Sequence, residues 1–176
     1  KKHHSLSVKT LKNEYQKKYP LTSQDYQTFW AEQAQKISWE KPFNQILEGS
    51  FKEADVDVRW FSDGVLNACY NCVDRHLDHQ SEKKALIWVG NERGQRQTFS
   101  FLELHAAVCQ CANGLRALGV KKSDRVMLYL PMIPEAIFSM LACARIGAIH
   151  SVVFAGFSAE ALCDRINDAQ ATFIIT

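Results

Sequence analysis

Residues Asp124–Phe157, DRVMLYLPMIPEAIFSMLACARIGAIHSVVFAGF, decide how this chain is read. Arg125–Leu130 is a short apolar run of strand length. Pro134 at a first helical position, with Glu135 beside it, opens a helix that Gly147 closes. Ile149–Phe154 is a second apolar run, rich in β-branched residues, and Ala155-Gly156 then leads to a further helix capped by Ser158. Strand, helix and strand in this order build a parallel sheet, and ligands collect where loops leave the carboxyl ends of such strands. The expected buried face of the helix is Ile137, Met140, Leu141 and Ala144.

Working outward, Ser100 and Glu103 form an S-x-x-E capping box. Phe101, Leu104, Val108, Cys111, Leu115 and Leu118 follow at helical steps on one face, and Gly119 ends that helix. Ala85–Val89 and Gln95–Phe99 read as a hairpin around Gly90–Gly94. Beyond Ser158, Leu162, Ile166 and Ala169 mark another helix, and Thr172–Thr176 begins a strand. From Ser100 onward the order is α-β-α-β-α-β, the sign of an α/β sheet with right-handed crossovers.

The first fifty residues are polar and irregular, with aromatic anchors that include Trp30, Trp39 and Phe43. Ser23 is the expected cap of a helix through Phe29 and Ala34, and Lys41-Pro42 stops it. Trp30 and Trp39 are read as packing this cap segment onto a neighbour. Val56–Phe61 is a strand candidate, Asp63-Gly64 a turn, and Asn67 the cap of one helix through His79.

An apolar fraction of 47% and a charged fraction of 23% over 176 residues belong to a globular chain. The net charge of +2, with basic residues scattered or in short pairs such as Lys17–Lys18 and Lys83–Lys84, leaves no footprint for nucleic acid. No membrane partner is expected either. Ala136–Phe157 carries a single formal charge, but Arg145 near its middle costs about 2.5–3.5 kcal/mol on insertion scales. Six cysteines in apolar helical patterns suggest reduced thiols, and with no leader at Lys1 they give a cytoplasmic expectation.

Cys69, Cys72, His76 and His79 have the look of a zinc site. On one helix, however, Cys69 and His79 stand about 15 Å apart, and zinc needs ligands within about 2.3 Å. The stripe is read as packing surface. His105 and His150 are isolated in apolar patterns and read as core residues. Asp74-Arg75 and Asp164-Arg165 read as solvated helix charges, with ion pairs to neighbouring segments as the alternative. Phe154-Ala155-Gly156-Phe157 has two readings of equal weight. Small residues before a helix N-terminus let a phosphate approach the backbone while the rings flank a flat base; or the loop is a tight βα turn with two core aromatics. No G-x-x-x-x-G-K-[ST], G-x-G-x-x-G or G-x-S-x-G motif occurs, so the catalytic groups are not visible.

Three segments, WFSDGVLNACYNCVDRHL (Trp60–Leu77), FSFLELHAAVCQCANGLRALGVKKSDRV (Phe99–Val126) and LPMIPEAIFSMLACARIGAIHSVVFAGFSAEALCDRI (Leu130–Ile166), closely resemble the N-terminal portion of the acetyl-CoA synthetases. These are AMP-forming acetate–CoA ligases of the acyl-adenylate-forming superfamily, and a looser match extends back to Phe29. The resemblance implies a helical and irregular N-terminal cap (1–80) followed by the first β-α-β units of a larger α/β AMP-binding domain (81–176). It implies acetate, ATP and CoA as small-molecule substrates, with Mg²⁺ assisting the ATP step. It implies that Phe154, Gly156 and Phe157 form a wall beside the CoA nucleotide. The family pattern there is F-G-G-F, and Ala155 departs from it, so no contact at 155 is carried over. No catalytic or metal-binding residue is expected within this segment. The family's phosphate loop, acyl pocket and catalytic lysine lie beyond Thr176, so the chain is expected to be part of a longer enzyme and inactive alone, with the remainder of the polypeptide as its partner. A propionate or other short-chain acyl-CoA ligase and a non-catalytic nucleotide-binding or interaction module are the alternatives.

Overall fold

The structure is a computed structural model that describes residues 8–20, 25–50 and 56–176. Two compact units divide at Leu66/Asn67, ahead of the 80/81 boundary expected from the sequence.

In the first unit, helix α1 (Val8–Lys18) and helix α2 (Tyr26–Ala34) precede a two-stranded antiparallel ribbon of β1 (Leu47–Ser50) and β2 (Asp57–Trp60). The expected cap Ser23 lies outside the described residues. Asp25 caps α2, its side chain accepting from the Thr28 amide. Trp39 packs within the unit, its ring centroid 4.9 Å from that of Phe43 and 5.5 Å from that of Phe61. Its indole N–H donates to the Ala34 carbonyl, and Trp30 meets Trp60 edge-on. Asp63 fixes the loop after Phe43. Its carboxylate accepts from the Gln45 and Asn44 amides and from the Asn44 side chain, which together hold it below the usual carboxylate value.

The second unit begins with α3 (Ala68–Cys72), a 3₁₀ turn (Asp74–His76) and α4 (Leu77–Gln80). One continuous helix from Asn67 to His79 was expected. Instead the helix breaks at Val73 (φ −126°, ψ −66°), whose side chain is wholly buried. Asn67 still caps the start, accepting from the Tyr70 amide. Because of the break, the Cys/His stripe does not hold as one packing face: Cys69 is buried and His76 lies against the Phe101 ring, but Cys72 and His79 are exposed.

The hairpin forms as read, one residue offset, from β3 (Lys84–Val89) and β4 (Arg96–Ser100). Ser100 and Glu103 make both halves of the capping box at the start of α5 (Phe101–Ala117). The buried face of α5 is Leu104, Val108, Ala112 and Leu115. Leu118 belongs to the sequence stripe but is 74% exposed, because the helix ends one residue before it and Gly119 turns the chain away.

Three parallel strands, in the order β6-β5-β7, form the sheet: β5 (Arg125–Leu130), β6 (Ile149–Phe154) and β7 (Phe173–Ile175). Central β5 is paired on both sides and its Val126, Met127 and Leu128 are fully buried, which is why it reads as a continuous apolar run. Helix α6 (Pro134–Ile146) links β5 to β6, and α7 (Ala159–Ala169) links β6 to β7. The buried α6 residues are Pro134, Ser139, Ala142 and Cys143, not the predicted Ile137, Met140, Leu141 and Ala144, which are half-buried. Neighbours on more than one side cover α6, so its small residues sit deepest while the larger ones wedge around them. Gly147 adopts the left-handed conformation (φ 75°) and ends α6 as expected.

Candidate functional site

The loop 154–157 leaves the carboxyl end of β6 and enters α7, where a βα loop of a parallel sheet meets ligands. Phe157 donates its amide to the Phe154 carbonyl (3.0 Å), which makes the loop a tight turn. The two aromatics are not core residues, however: Phe154 is 58% and Phe157 46% exposed. Their rings meet edge-on at 6.2 Å. Gly156 lies beneath the Phe154 ring, and a Cβ added there would stand 2.5 Å from Cε1 of that ring. A side chain at 156 would push the ring off the turn, so glycine leaves the ring room to fold back over it.

Two further residues shape this surface. Tyr129, near the end of β5, points its hydroxyl at the carbonyls of both Ala155 and Phe157, each at 2.9 Å. Its signal in the sequence is small: the single hydroxyl in an apolar strand, one residue before the edge. Arg165, read from sequence as a solvated charge or ion-pair partner, instead places its guanidinium 4.7 Å from the Phe157 ring centroid and donates to the Ala161 carbonyl. Ser158 caps α7 by accepting from the Ala161 amide, and Glu160 puts an acid in the first turn. An acid there already complements the helix dipole. The loop is thus suited to a flat aromatic group more than to a phosphate.

Arg145 forks onto Asp74, with Nη1 2.7 Å from Oδ2 and Nη2 2.8 Å from Oδ1. The ion-pair reading of Asp74 therefore holds, and the solvated reading does not. His105 is not isolated: its Nε2 lies 3.4 Å from Asp74 Oδ1, 3.3 Å from Arg145 Nη2 and 3.5 Å from Cys109 Sγ. Arg145 also donates to the buried Cys69 sulfur, and its carbonyl accepts from the Asn67 amide group (3.0 Å). Burial acts to raise the Asp74 carboxyl, but the hydrogen bonds and charge of Arg145, with His105, outweigh it and hold the group below its ordinary value. The hydrogen bond to Asp74 raises the Arg145 guanidinium in turn. This network ties residues 67–74 to α6, so they belong to the α/β unit. No group of three His, Cys, Asp or Glu among the described residues is placed to hold a metal ion.

The family model described as "AMP-binding enzyme" matches residues 73–176. The chain belongs to that family. A second model, "Acetyl-coenzyme A synthetase N-terminus", matches residues 15–72. Among curated relatives, the acetyl-coenzyme A synthetase of Desulfatibacillum aliphaticivorans is 51% identical over 162 residues, 92% of this chain and 25% of that protein. That of Bradyrhizobium diazoefficiens is 52% identical over the same shares, and that of Sodalis glossinidius 47% identical over 98% of this chain and 27% of its own length. The chain spans about a quarter of the length of these relatives. The sequence resemblance and the family matches agree, and the observed α/β order is that expected of the start of an AMP-binding domain. No helix among the described residues is long and apolar enough to cross a membrane.

Proposed function

We propose that this chain is the N-terminal part of an AMP-forming acetate–CoA ligase. The complete enzyme joins acetate to ATP, giving acetyl-adenylate and pyrophosphate, and the CoA thiol then attacks the adenylate to give acetyl-CoA and AMP. The observation that carries the reading is identity near 50% across almost the whole chain to proteins named acetyl-coenzyme A synthetase. The sequence has no phosphate-loop motif, and binding of ATP and Mg²⁺ is assigned to other parts of the enzyme. Ile149 (53% exposed), Val152 (55%) and Ile174 (47%) leave apolar sheet surface open, which supports the remainder of the polypeptide as the partner. Six unpaired cysteines support a cytoplasmic location. The test is acetate- and ATP-dependent acetyl-CoA formation by the complete gene product carrying this sequence. Residues 1–176 alone are expected to show none, and turnover by that segment would overturn the reading, as would a complete product that prefers propionate in a panel of short acids.

Within that enzyme, Phe154 and Phe157 form an aromatic wall against the CoA nucleotide, with Gly156 giving the Phe154 ring its place. Stacking of a base on an aromatic ring is worth about 1–3 kcal/mol. Phe157→Ala is therefore expected to raise the KM for CoA about tenfold. Acetate-dependent exchange of pyrophosphate into ATP, which needs no CoA, should stay as it was. A loss of both activities together would remove the wall from the CoA site.

A further inference from the structure

At the opposite end of the sheet, where the chain enters β5, a cavity of about 600 Å³ opens between the last turns of α5, the turn after it and the end of α6. Its volume is that of a small-molecule site. Arg116, Lys121, Lys122 and Arg145 line it, and no carboxylate does. Arg145 is neutralised by Asp74. Among the described residues the other three have no acidic partner, and nearby Asp124 accepts instead from the Lys121 amide at 2.7 Å. The stem of Lys122 lies against Gly147, where an added Cβ would come within 3.1 Å of Cγ, so the backbone at the end of α6 helps place that cation.

The plain alternative is that these cations complement the carboxyl ends of α5 and α6. Most of the carbonyls there already have partners. Gly114, Leu115 and Arg116 accept from the amides of Leu118, Val120 and Gly119, and Cys143 and Ala144 accept from those of Ala148 and Gly147. Asn67 takes the Arg145 carbonyl. Two helix ends contribute roughly half a negative charge each, so three free cations leave about two positive charges over. Asn113 adds an amide, and Val120 and Ile146 add apolar wall on which a ring can rest.

We propose that this cavity is a second anion site, distinct from the aromatic loop and roughly 17 Å away along β5, which takes a diphosphate group. Inorganic pyrophosphate and a nucleoside diphosphate share that chemistry. Cys109 lines the same cavity and reports on its occupancy without reference to catalysis. In the complete gene product, the rate of Cys109 alkylation by iodoacetamide is followed by peptide mass mapping, with exposed Cys163 as internal control. Saturating pyrophosphate is expected to slow labelling of Cys109 about tenfold and leave Cys163 unchanged. A Lys121→Gln, Lys122→Gln double variant with an unchanged melting temperature should need about tenfold more pyrophosphate for the same protection. Stronger protection by ADP assigns the site to a nucleoside diphosphate, and protection by pyrophosphate without ADP assigns it to the inorganic ion; both support the site. Absence of protection, equal protection by chloride at matched ionic strength, or protection unaltered in the double variant would overturn it.

Discussion

The two ends of the β5–β6 pair are built on different principles. At the amino end, helix α6 is fastened to the segment 67–74 by a forked Arg145–Asp74 pair, by Asn67 and by Cys69, and to α5 by His105. At the carboxyl end, the loop 154–157 has one internal backbone hydrogen bond, one tyrosine hydroxyl on its carbonyls and two exposed rings. The end with the denser polar network is the one that secures the fold. The end proposed to meet CoA is held by few contacts, as suits a surface whose rings must settle against a ligand.

The comparison is tested most severely at Asp74. Asp74→Asn keeps the shape but leaves the Arg145 guanidinium half-buried without its counter-charge. A fully buried pair broken from one side costs about 3–5 kcal/mol, and this pair is partly exposed, so a loss of about 2–3 kcal/mol is expected in urea unfolding. The pH dependence has a definite sign. The folded carboxyl titrates below its unfolded value, near 3.8. Its contribution is therefore fully present above that value and is lost as the pH falls through the folded one. Wild type should lose more stability in acid than Asp74→Asn, so that the two converge at low pH. Parallel curves would show that the pair does not fasten the amino end.

The carboxyl end is probed by Tyr129→Phe, which removes one hydroxyl and nothing else. The expected loss of stability is about 1 kcal/mol. Amide exchange at Phe157 should rise, since its N–H closes the turn. Amides of residues 68–76 should not change. If exchange rose equally at both ends, they would not be independent, and the contrast drawn between them would fail.

How much of this was legible in the sequence follows from the range of the forces. Local rules located the elements of the α/β unit well: the Ser100 and Ser158 caps, Pro134 and Gly147 at the two ends of α6, and both strands of the quoted stretch stand where read. Each depends on neighbours within a few residues. The misreadings concern contacts across the chain. Asp74 and Arg145 lie 71 positions apart, and neither has a local feature that names the other. The break at Val73 places that side chain in the core against the helical preference around it. Tyr129 is not legible from sequence, because one hydroxyl in a strand carries no spacing signal. The loop 154–157 itself was identified from the β-α-β order, but whether its rings were core or exposed depended on what lies over the sheet edge.

The smallest expected effect concerns His150 in β6, on the strand that joins the two ends. Burial holds its imidazole below the ordinary value of 6.5. The unfolded chain therefore binds a proton that the folded one resists, and stability falls as the pH drops below 6.5, levelling off once the folded imidazole is also protonated. His150→Gln removes the titration and keeps a polar side chain. Between about pH 5 and 7, the variant's stability should change less steeply than that of wild type, by a few tenths of a kcal/mol per pH unit. This window lies above the one in which Asp74 titrates, so a melting series across both separates the strand's contribution from that of the fastened end. A slope unchanged by His150→Gln would place that imidazole in water and leave the acid loss of stability to the Asp74 end alone.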